Sequence, residues 1–495
     1  MRIARRIPSS SASAVQQIPM SFQSAVKPLL QPVHVTVVLR HLGQLSLILT
    51  GLLLVPTLVA WLDGDRVLAQ RLLLGALLPA VGLAACALLP RAGRQLRLNE
   101  ALVITVLSFI VVAALSTWPL ASGGLSMLDA WFEAASGVTT TGLSMLSDPA
   151  QCSNAYLFTR AWLQWVGGLG IVVLSMALVL GQAADQRRFA DALGDDDLEV
   201  GARQHARRVV SVYVLLTAIG LAWVSAAGLA WPAAVIHTLA AVSTGGFSVA
   251  ADSLAALTPR IQLALLVVAF AGALPLPLYY RAWLRGPLEL LRDPELRALV
   301  AAIGITMALL WLLGGLVPGE ALMQAAMAQT TTGFSTVDIA GLPAQAKLVL
   351  ILSMLGGAGV GSTAGGIKLL RLLILIRLIQ LMILRVQLPP HAVVSARLGG
   401  HELDARQIEH ALIVILLFVL LVVGAWLAFV AAGYVPLDAL FEVVSAAATV
   451  GLSTGITGIE LEPGLKALLT LVMLAGRVEV LALLVLLYPR TWLRP

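Results

Sequence analysis

Apolar residues run along this chain in blocks longer than the interior of a soluble domain uses. They fall near 42–62, 71–90, 101–118, 157–181, 209–230, 261–283, 298–316, 346–366, 411–431 and 466–488. About 20 such residues in helical form cross the roughly 30 Å of a bilayer's hydrocarbon. The pattern therefore predicts an all-α membrane protein with ten crossings and both ends on one side. Between some consecutive spans lies a shorter apolar segment, followed by a run of hydroxyls and glycine with almost no charge. Four such runs read "GVTTTGLSM", "AVSTGGFSV", "AQTTTGFSTVD" and "AATVGLSTG".

Aligned on Gly142, Gly246, Gly333 and Gly451, the runs are copies of one unit. Thirteen residues before each glycine stand Asp129, Ala233, Glu320 and Asp438, and nine before stand Glu133, His237, Gln324 and Glu442. Pro232, Pro318 and Pro436 open three of the short segments, where proline suits the first helical turn and acid favours the helix N-terminus. The unit is span, half-helix, hydroxyl–glycine loop, span. It occurs four times after two extra N-terminal spans, and repetition on this scale outranks any single motif. The expected divisions are a tail at 1–40, two extra helices at 41–92, repeats at 98–183, 209–284, 298–388 and 409–490, and a loop at 184–208 between the first two repeats.

Composition agrees. The chain has 495 residues, 59% hydrophobic and 12% charged, whereas a soluble domain carries about 25% charged residues. A net charge of +6 raises the question of nucleic acid, but the basic residues sit in short loops beside apolar spans, as topology signals do. Arg91, Arg94 and Arg97, then Arg187, Arg188, Arg203, Arg207 and Arg208, then Arg281, Arg285, Arg292 and Arg297 fall in alternate loops. Lys368, Arg371, Arg377 and Arg385 continue the series, and Arg490 and Arg494 close it. The intervening loops hold fewer, Arg66 and Arg260 being the clearest. This bias predicts that both termini are cytoplasmic. The first 40 residues have Arg, Ser and no acid, a pattern shared by transit peptides. A cytoplasmic tail anchored by Arg2, Arg5, Arg6 and Lys27 is the favoured reading. Cys86 and Cys152 offer no disulfide framework.

Non-helical backbone inside a bilayer is tolerated where it lines water or is buried in protein. Four such loops facing one axis meet that demand by facing ions. Their carbonyls and threonine hydroxyls replace a cation's hydration shell, and glycine supplies the backbone conformations that aim carbonyls inward. Each half-helix also points its partly negative C-terminus at the axis. Such a run is polar enough to dehydrate a cation and uncharged, so that the cation leaves again. Helix packing through small residues accounts well for one such loop, and poorly for four in register.

Together, "TTTGL", "STGGFS", "TTTGFST" and "TVGLSTG" resemble the Trk/Ktr/HKT superfamily of potassium transporters. Thr449–Leu452 is also close to the filter signature of potassium channels. Further stretches like that family are "LQWVGGLGIVVLSMAL" (163–178), "GGAGVGSTAGGIKLLR" (356–371) and "AGRVEVLALLVLLYPRTW" (475–492). The two extra spans look like the Trk branch and the fourth run looks like the Ktr branch.

The resemblance covers roughly 40–492 and implies a pseudo-fourfold membrane subunit with its own pore, paired as a homodimer in the bacterial inner membrane. It also implies a cytosolic nucleotide-binding regulatory subunit of the RCK type, TrkA- or KtrA-like. No cofactor beyond the transported K⁺ is implied. The implied K⁺ ligands are Thr140, Thr141 and Gly142; Thr244, Gly245 and Gly246; Thr331, Thr332 and Gly333; and Thr449, Val450 and Gly451. Serine at the first of these glycines goes with sodium-transporting relatives, so Gly142 favours potassium. The second run departs from the pattern, lacking the Thr-Thr pair and an acid at Ala233, which implies a weaker contribution.

From Ala346 to Leu388 the sequence is nearly unbroken, about 65 Å as a helix, twice the hydrocarbon thickness. Six glycines between Gly356 and Gly366 predict a break near mid-membrane. A phosphate-binding loop is excluded, because Ile367 separates Gly366 from Lys368 and Leu369 is neither Ser nor Thr. The resemblance makes this stretch an intramembrane gate comprising Gly356, Gly357, Gly359, Gly361, Ser362, Thr363, Gly365, Gly366 and, on another span, Arg477. An arginine inside a span faces the interior and finds a partner. Arg477 is expected to contact the carbonyls of 356–366, with a plain interhelical tie as the competing reading; Glu479 is expected to point elsewhere, towards another span. The mixed-charge stretch 185–208 is either a solvated face or a docking surface for a soluble subunit.

Passive potassium uptake through the four loops is the leading function. The alternatives are a sodium- or proton-coupled potassium symporter and a sodium-permeable HKT-like transporter. Coupled carriers string ionisable residues through several spans, and here Arg477 and Glu479 alone sit clearly in one. No nucleophile–base pair or metal cluster suggests an enzyme.

Overall fold

The structure is a computed structural model, and it describes residues 32–89, 96–188, 197–389, 397–399 and 401–492. Most of the expected tail 1–40, together with Arg91, Arg94 and residues 189–196 of the mixed-charge loop, lies outside the described residues.

Helices α1 (Val35–Leu62) and α2 (Arg66–Ala87) form a hairpin. Its turn is set by Asp65, which accepts from the Leu68 amide at 3.0 Å and caps α2. Four repeats of similar build follow. The first has α3 (Leu98–Leu120), the short α4 (Met127–Val138) and α5 (Asn154–Arg188). The second has α6 (Asp197–Ala226), the short α7 (Trp231–Val242) and the pair α8 (Pro259–Ala273) and α9 (Leu276–Arg285). After α10 (Leu288–Arg292) the third has α11 (Pro294–Leu312), the short α12 (Pro318–Gln329), α13 (Ala344–Gly356) and α14 (Leu369–Gln387). The fourth has α15 (Ala405–Ala431), the short α16 (Pro436–Ala447), α17 (Pro463–Val478) and α18 (Val480–Leu487). A two-residue antiparallel ribbon pairs Arg397–Leu398 with His401–Glu402.

Each short helix has 12 residues, about 18 Å at 1.5 Å per residue, too short to cross. Their starts follow from local chemistry. Ser126 accepts from the Asp129 amide at 3.2 Å to cap α4, and proline opens α7, α12 and α16. In the first and last, Asp129 and Asp438 sit in the first turn and do more than favour the helix dipole. Lys466 of α17 reaches Asp129 at 2.5 Å, and Lys347 of α13 reaches Asp438 at 2.7 Å. Each pair ties one repeat to the next.

The surface differs from that of a water-soluble fold in being apolar along the long helices, while the core is apolar with a few enclosed polar residues. Glu133, His237, Gln324 and Glu442 are fully enclosed, while Ile48, Leu58, Leu416 and Leu427 are exposed on α1 and α15. Apolar residues outside and polar residues enclosed by protein are what a hydrocarbon solvent selects. Against the ten expected crossings, five helices among the described residues are long and apolar enough to span, or seven if each bent pair counts as one.

The bent pairs correct the hydropathy reading. The spans expected at 261–283 and 466–488 are not single helices: α8 and α9 meet at 87°, α17 and α18 at 110°. The first break falls in "LPLPL" (274–278). Pro275 cannot donate into a helix and disfavours helical backbone at Leu274. The second falls on Glu479, whose φ is +68°. Hydropathy sums over such breaks because most residues around them are apolar.

Candidate functional site

The four short helices end four residues before Gly142, Gly246, Gly333 and Gly451, and each chain then turns sharply. Thr140, Thr244, Thr331 and Thr449 have φ of 56°, 52°, 55° and 51°. Left-handed backbone is unusual for a β-branched residue and costs about 1–3 kcal/mol each time. Its recurrence at one position in four segments marks a conformation the surroundings enforce. Next to it the amides of Thr141, Gly245, Thr332 and Val450 donate back to Ser136, Ala240, Met327 and Ser445 at 2.8–3.0 Å. The amides are thus spent on the helix ends. Among the described residues, the carbonyls of Thr140 to Gly142, Thr331 to Gly333 and Thr449 to Gly451 accept no hydrogen bond.

The glycines join the segments into a ring. A β-carbon on Gly142 would collide with the Gly245 carbonyl, one on Gly246 with that of Thr332, one on Gly333 with that of Val450, and one on Gly451 with that of Thr141. The chain of contacts runs first, second, third, fourth repeat and back to the first. All twelve residues expected to line the path, from Thr140 to Gly451, belong to this ring or its immediate entry. The arrangement offers neutral oxygens. Among the described residues no group of three His, Cys, Asp or Glu side chains is placed to hold a metal.

Behind the ring each repeat carries a brace. The residue nine before the glycine meets the serine two after it. Glu133 accepts from Ser144 at 3.1 Å and Glu442 from Ser453 at 2.7 Å. His237 Nε2 lies 3.2 Å from the Ser248 hydroxyl, and Gln324 donates to Ser335 at 3.2 Å. The residues nine before each glycine and the serines two after it recur in register along the sequence, but nothing in that spacing indicates that they pair. Arg160, which pairs with Glu133 at 2.5 Å and stacks over Phe247 at 3.9 Å, gave no periodic signal. Gly167, Gly272 and Gly476 let the following helices touch the carbonyls of Val138, Val242 and Ala447 at the short helices' ends.

The glycine-rich segment leaves α13 at Gly356 and lies directly across the end of the ring. Gln329 donates to the Gly357 carbonyl at 2.5 Å. The Gly365 amide donates to the Thr331 hydroxyl at 2.8 Å. Thr244 donates to the Thr363 hydroxyl at 3.2 Å, and Thr363 donates to the Gly272 carbonyl at 3.0 Å. A β-carbon on Gly365 would strike the Ala448 carbonyl and the Thr449 hydroxyl. Gly366 packs on Gly357. The Ser362 hydroxyl holds the Gly359 carbonyl at 2.6 Å. The break in α8–α9 receives the rest: Leu276 donates to Gly361 at 3.1 Å, and Gly359 donates to Ala273 at 3.4 Å. Arg477, in the last turn of α17, donates to the Thr363 carbonyl at 2.6 Å and to that of Gly167 at 3.2 Å. Glu479 pairs with Arg371 of α14 at 2.5 Å. The prolines of "LPLPL" were the available signal for the α8–α9 contribution.

Fold and site together define a multi-span membrane protein that gathers uncharged backbone oxygens from four segments: a cation transporter. The TrkH family, described as cation transport proteins, matches residues 75–491, and this chain belongs to it, as a membrane subunit of a family of transporters and not of enzymes. It is 29% identical over 483 residues to the Trk system potassium uptake protein TrkH of Escherichia coli K12, covering 93% of this chain and 99% of that one. An uncharacterized cation transporter of Methanocaldococcus jannaschii is 26% identical over 91% of this chain and 94% of its own length. The crystal structure of the potassium transporter TrkH from Vibrio parahaemolyticus superposes with a TM-score of 0.82 at 27% identity, covering 93% of this chain and all of that one.

Proposed function

We propose that this chain takes up potassium through a single path whose selective element is the ring of Thr140–Gly142, Thr244–Gly246, Thr331–Gly333 and Thr449–Gly451. The observation that carries the reading is the closed cycle of glycine-to-carbonyl contacts, with a left-handed threonine at the base of each segment. Unpaired carbonyls held by enforced backbone coordinate a dehydrated monovalent cation. The negative ends of four helices add to the attraction.

Segment 356–366 is the gate. It lies across the inner end of the ring, tied by Gly365 to Thr331 and by Thr363 to Arg477. In this reading 98–183, 209–284, 298–388 and 409–490 are the four pore repeats, the termini are cytoplasmic and the membrane is the bacterial inner membrane. A homodimer and a cytosolic nucleotide-binding subunit are the expected assembly, in keeping with the potassium uptake systems named for its relatives.

The test is cation flux into liposomes from purified protein, comparing K⁺, Rb⁺, Na⁺ and Li⁺ with no proton or sodium gradient. K⁺ and Rb⁺ flux well above Na⁺ and Li⁺ is expected. Flux that requires a sodium or proton gradient would instead make the chain a coupled symporter, and equal Na⁺ flux would make it sodium-permeable.

A further inference from the structure

The ring has three segments with a side chain before the glycine and one without: Thr141, Thr332 and Val450 against Gly245. Backbone conformation does not require the exception, because Gly245 is absent from the positive-φ positions that Gly142, Gly246, Gly333 and Gly451 share. Space does. A β-carbon on Gly245 would stand 2.7 Å from both the Nε2 and the Oε1 of Gln164. Gln164 belongs to α5, in the first repeat, and is fully buried. Its Nε2 donates to the Gly245 carbonyl at 2.5 Å, and its Oε1 accepts from the Phe247 amide at 3.2 Å. One carboxamide therefore straddles Gly246 and holds the residues on either side.

The other segments are braced from within. Thr139 and Thr141 share a hydroxyl hydrogen bond of 2.8 Å, as do Thr330 and Thr332. In the fourth, the Gly451 amide donates to Ser445 at 3.0 Å. The second has Ser243 at the helix end and no hydroxyl two residues on to pair with it.

We propose that Gln164 is a borrowed side chain for the second segment: it fills the volume that Thr or Val fills elsewhere and positions the Gly245–Gly246 oxygens, so that the Gln164–Gly245 pair is a specificity-determining element. The choice of amide is chemically pointed. It donates to a carbonyl and accepts from an amide at once, and being neutral it neither repels nor traps a passing cation. Gly245 O, alone among the ring carbonyls that face a neighbouring glycine, is shared with a protein donor, which makes this quadrant the weakest electron donor to the ion and the one most dependent on its brace.

This inference rests on the ring being the cation path, and the experiment separates the two. Liposome flux of K⁺ and Na⁺ is measured for the wild type, Gln164→Met, Gly245→Thr and the double variant Gln164→Ala/Gly245→Thr. Methionine keeps the volume and loses both hydrogen bonds. It is expected to lower the K⁺/Na⁺ flux ratio about three- to tenfold, the worth of one net hydrogen bond, because a looser segment closes round the smaller ion. Gly245→Thr is expected to lose folded yield or K⁺ flux, and the double variant, with a threonine in vacated space, to regain whichever was lost. An unchanged ratio in Gln164→Met, or a double variant no better than Gly245→Thr in both yield and flux, overturns the inference. A wild type that passes no cation overturns the pore reading itself.

Discussion

Four threonines adopt the same strained backbone, which is a statement about neighbours as much as about threonine. At Thr140 and Thr449 the hydroxyl gains nothing locally, having no hydrogen-bond partner, whereas Thr244 donates to the Ser243 carbonyl at 2.7 Å and Thr331 accepts from Gly365. Tertiary contact must supply the compensation, and the adjacent glycines show how closely the segments press. Gly333→Ala places a methyl group against the Val450 carbonyl at φ +74°, combining backbone strain with a collision. Potassium flux in liposomes is expected to fall at least about tenfold, with retained elution as a folded species. Wild-type flux from that variant would show that the ring does not carry the ion. The glycines, and the threonines beside them, were legible as a repeated pattern. The partners Arg160 and Gln164 were not, because one polar residue on an otherwise apolar helix has no period to betray it.

At the scale of elements, the informative features are the interruptions. The glycine-rich break after α13 could be read from composition, since six glycines cannot continue a helix cheaply. The breaks at Leu274–Pro275 and Glu479 could not be read from hydropathy, and they are where the glycine-rich segment is held. Arg477 sits two residues before the second break and spends its guanidinium on the carbonyls of Thr363 and Gly167. If 356–366 gates the path as proposed, losing a charge-assisted hydrogen bond of about 1.5–3 kcal/mol from the closed arrangement favours the open one. Arg477→Ala is therefore expected to raise K⁺ flux on the order of tenfold, measured against wild type in the same liposomes. Unchanged flux would reduce Arg477 to an interhelical tie.

The lysines of α13 and α17 test a different property of the same elements. Lys466 and Asp129 are both enclosed, with side-chain exposures of 6% and 8%, and removing one partner of such a pair costs about 3–5 kcal/mol. Lys466→Met should lower the thermal unfolding midpoint in detergent. Lys347→Met should lower it less, because Asp438 keeps 27% exposure to solvent. Equal shifts would contradict the burial argument.

For the whole molecule, what matters is that the twelve ring residues carry no charged side chain and that the path proposed for them is passive. A passive path responds to the electrical driving force alone, about 2.3 kcal/mol per charge for each 100 mV. At an imposed inside-negative 100 mV, proteoliposomes are expected to accumulate K⁺ towards a roughly fiftyfold gradient with pH and sodium equal on both sides. A steady accumulation beyond that limit requires coupling to another ion and would favour the symporter.

The chain by itself determined its solvent, the existence of four copies of one unit, and which residues of each copy are too polar and too small to be packing alone. Those properties are local or periodic: apolar length, hydroxyl clusters and glycine recur at spacings that need no partner to recognise. Tertiary structure alone decided that the four copies close into a cycle, that Asp129 and Asp438 bind neighbouring repeats, and that Gln164 stands where the second segment has no side chain. Each of these depends on a distance between residues far apart in the chain. Such distances follow from how helices pack, and a sequence pattern carries no record of packing until the chain has folded.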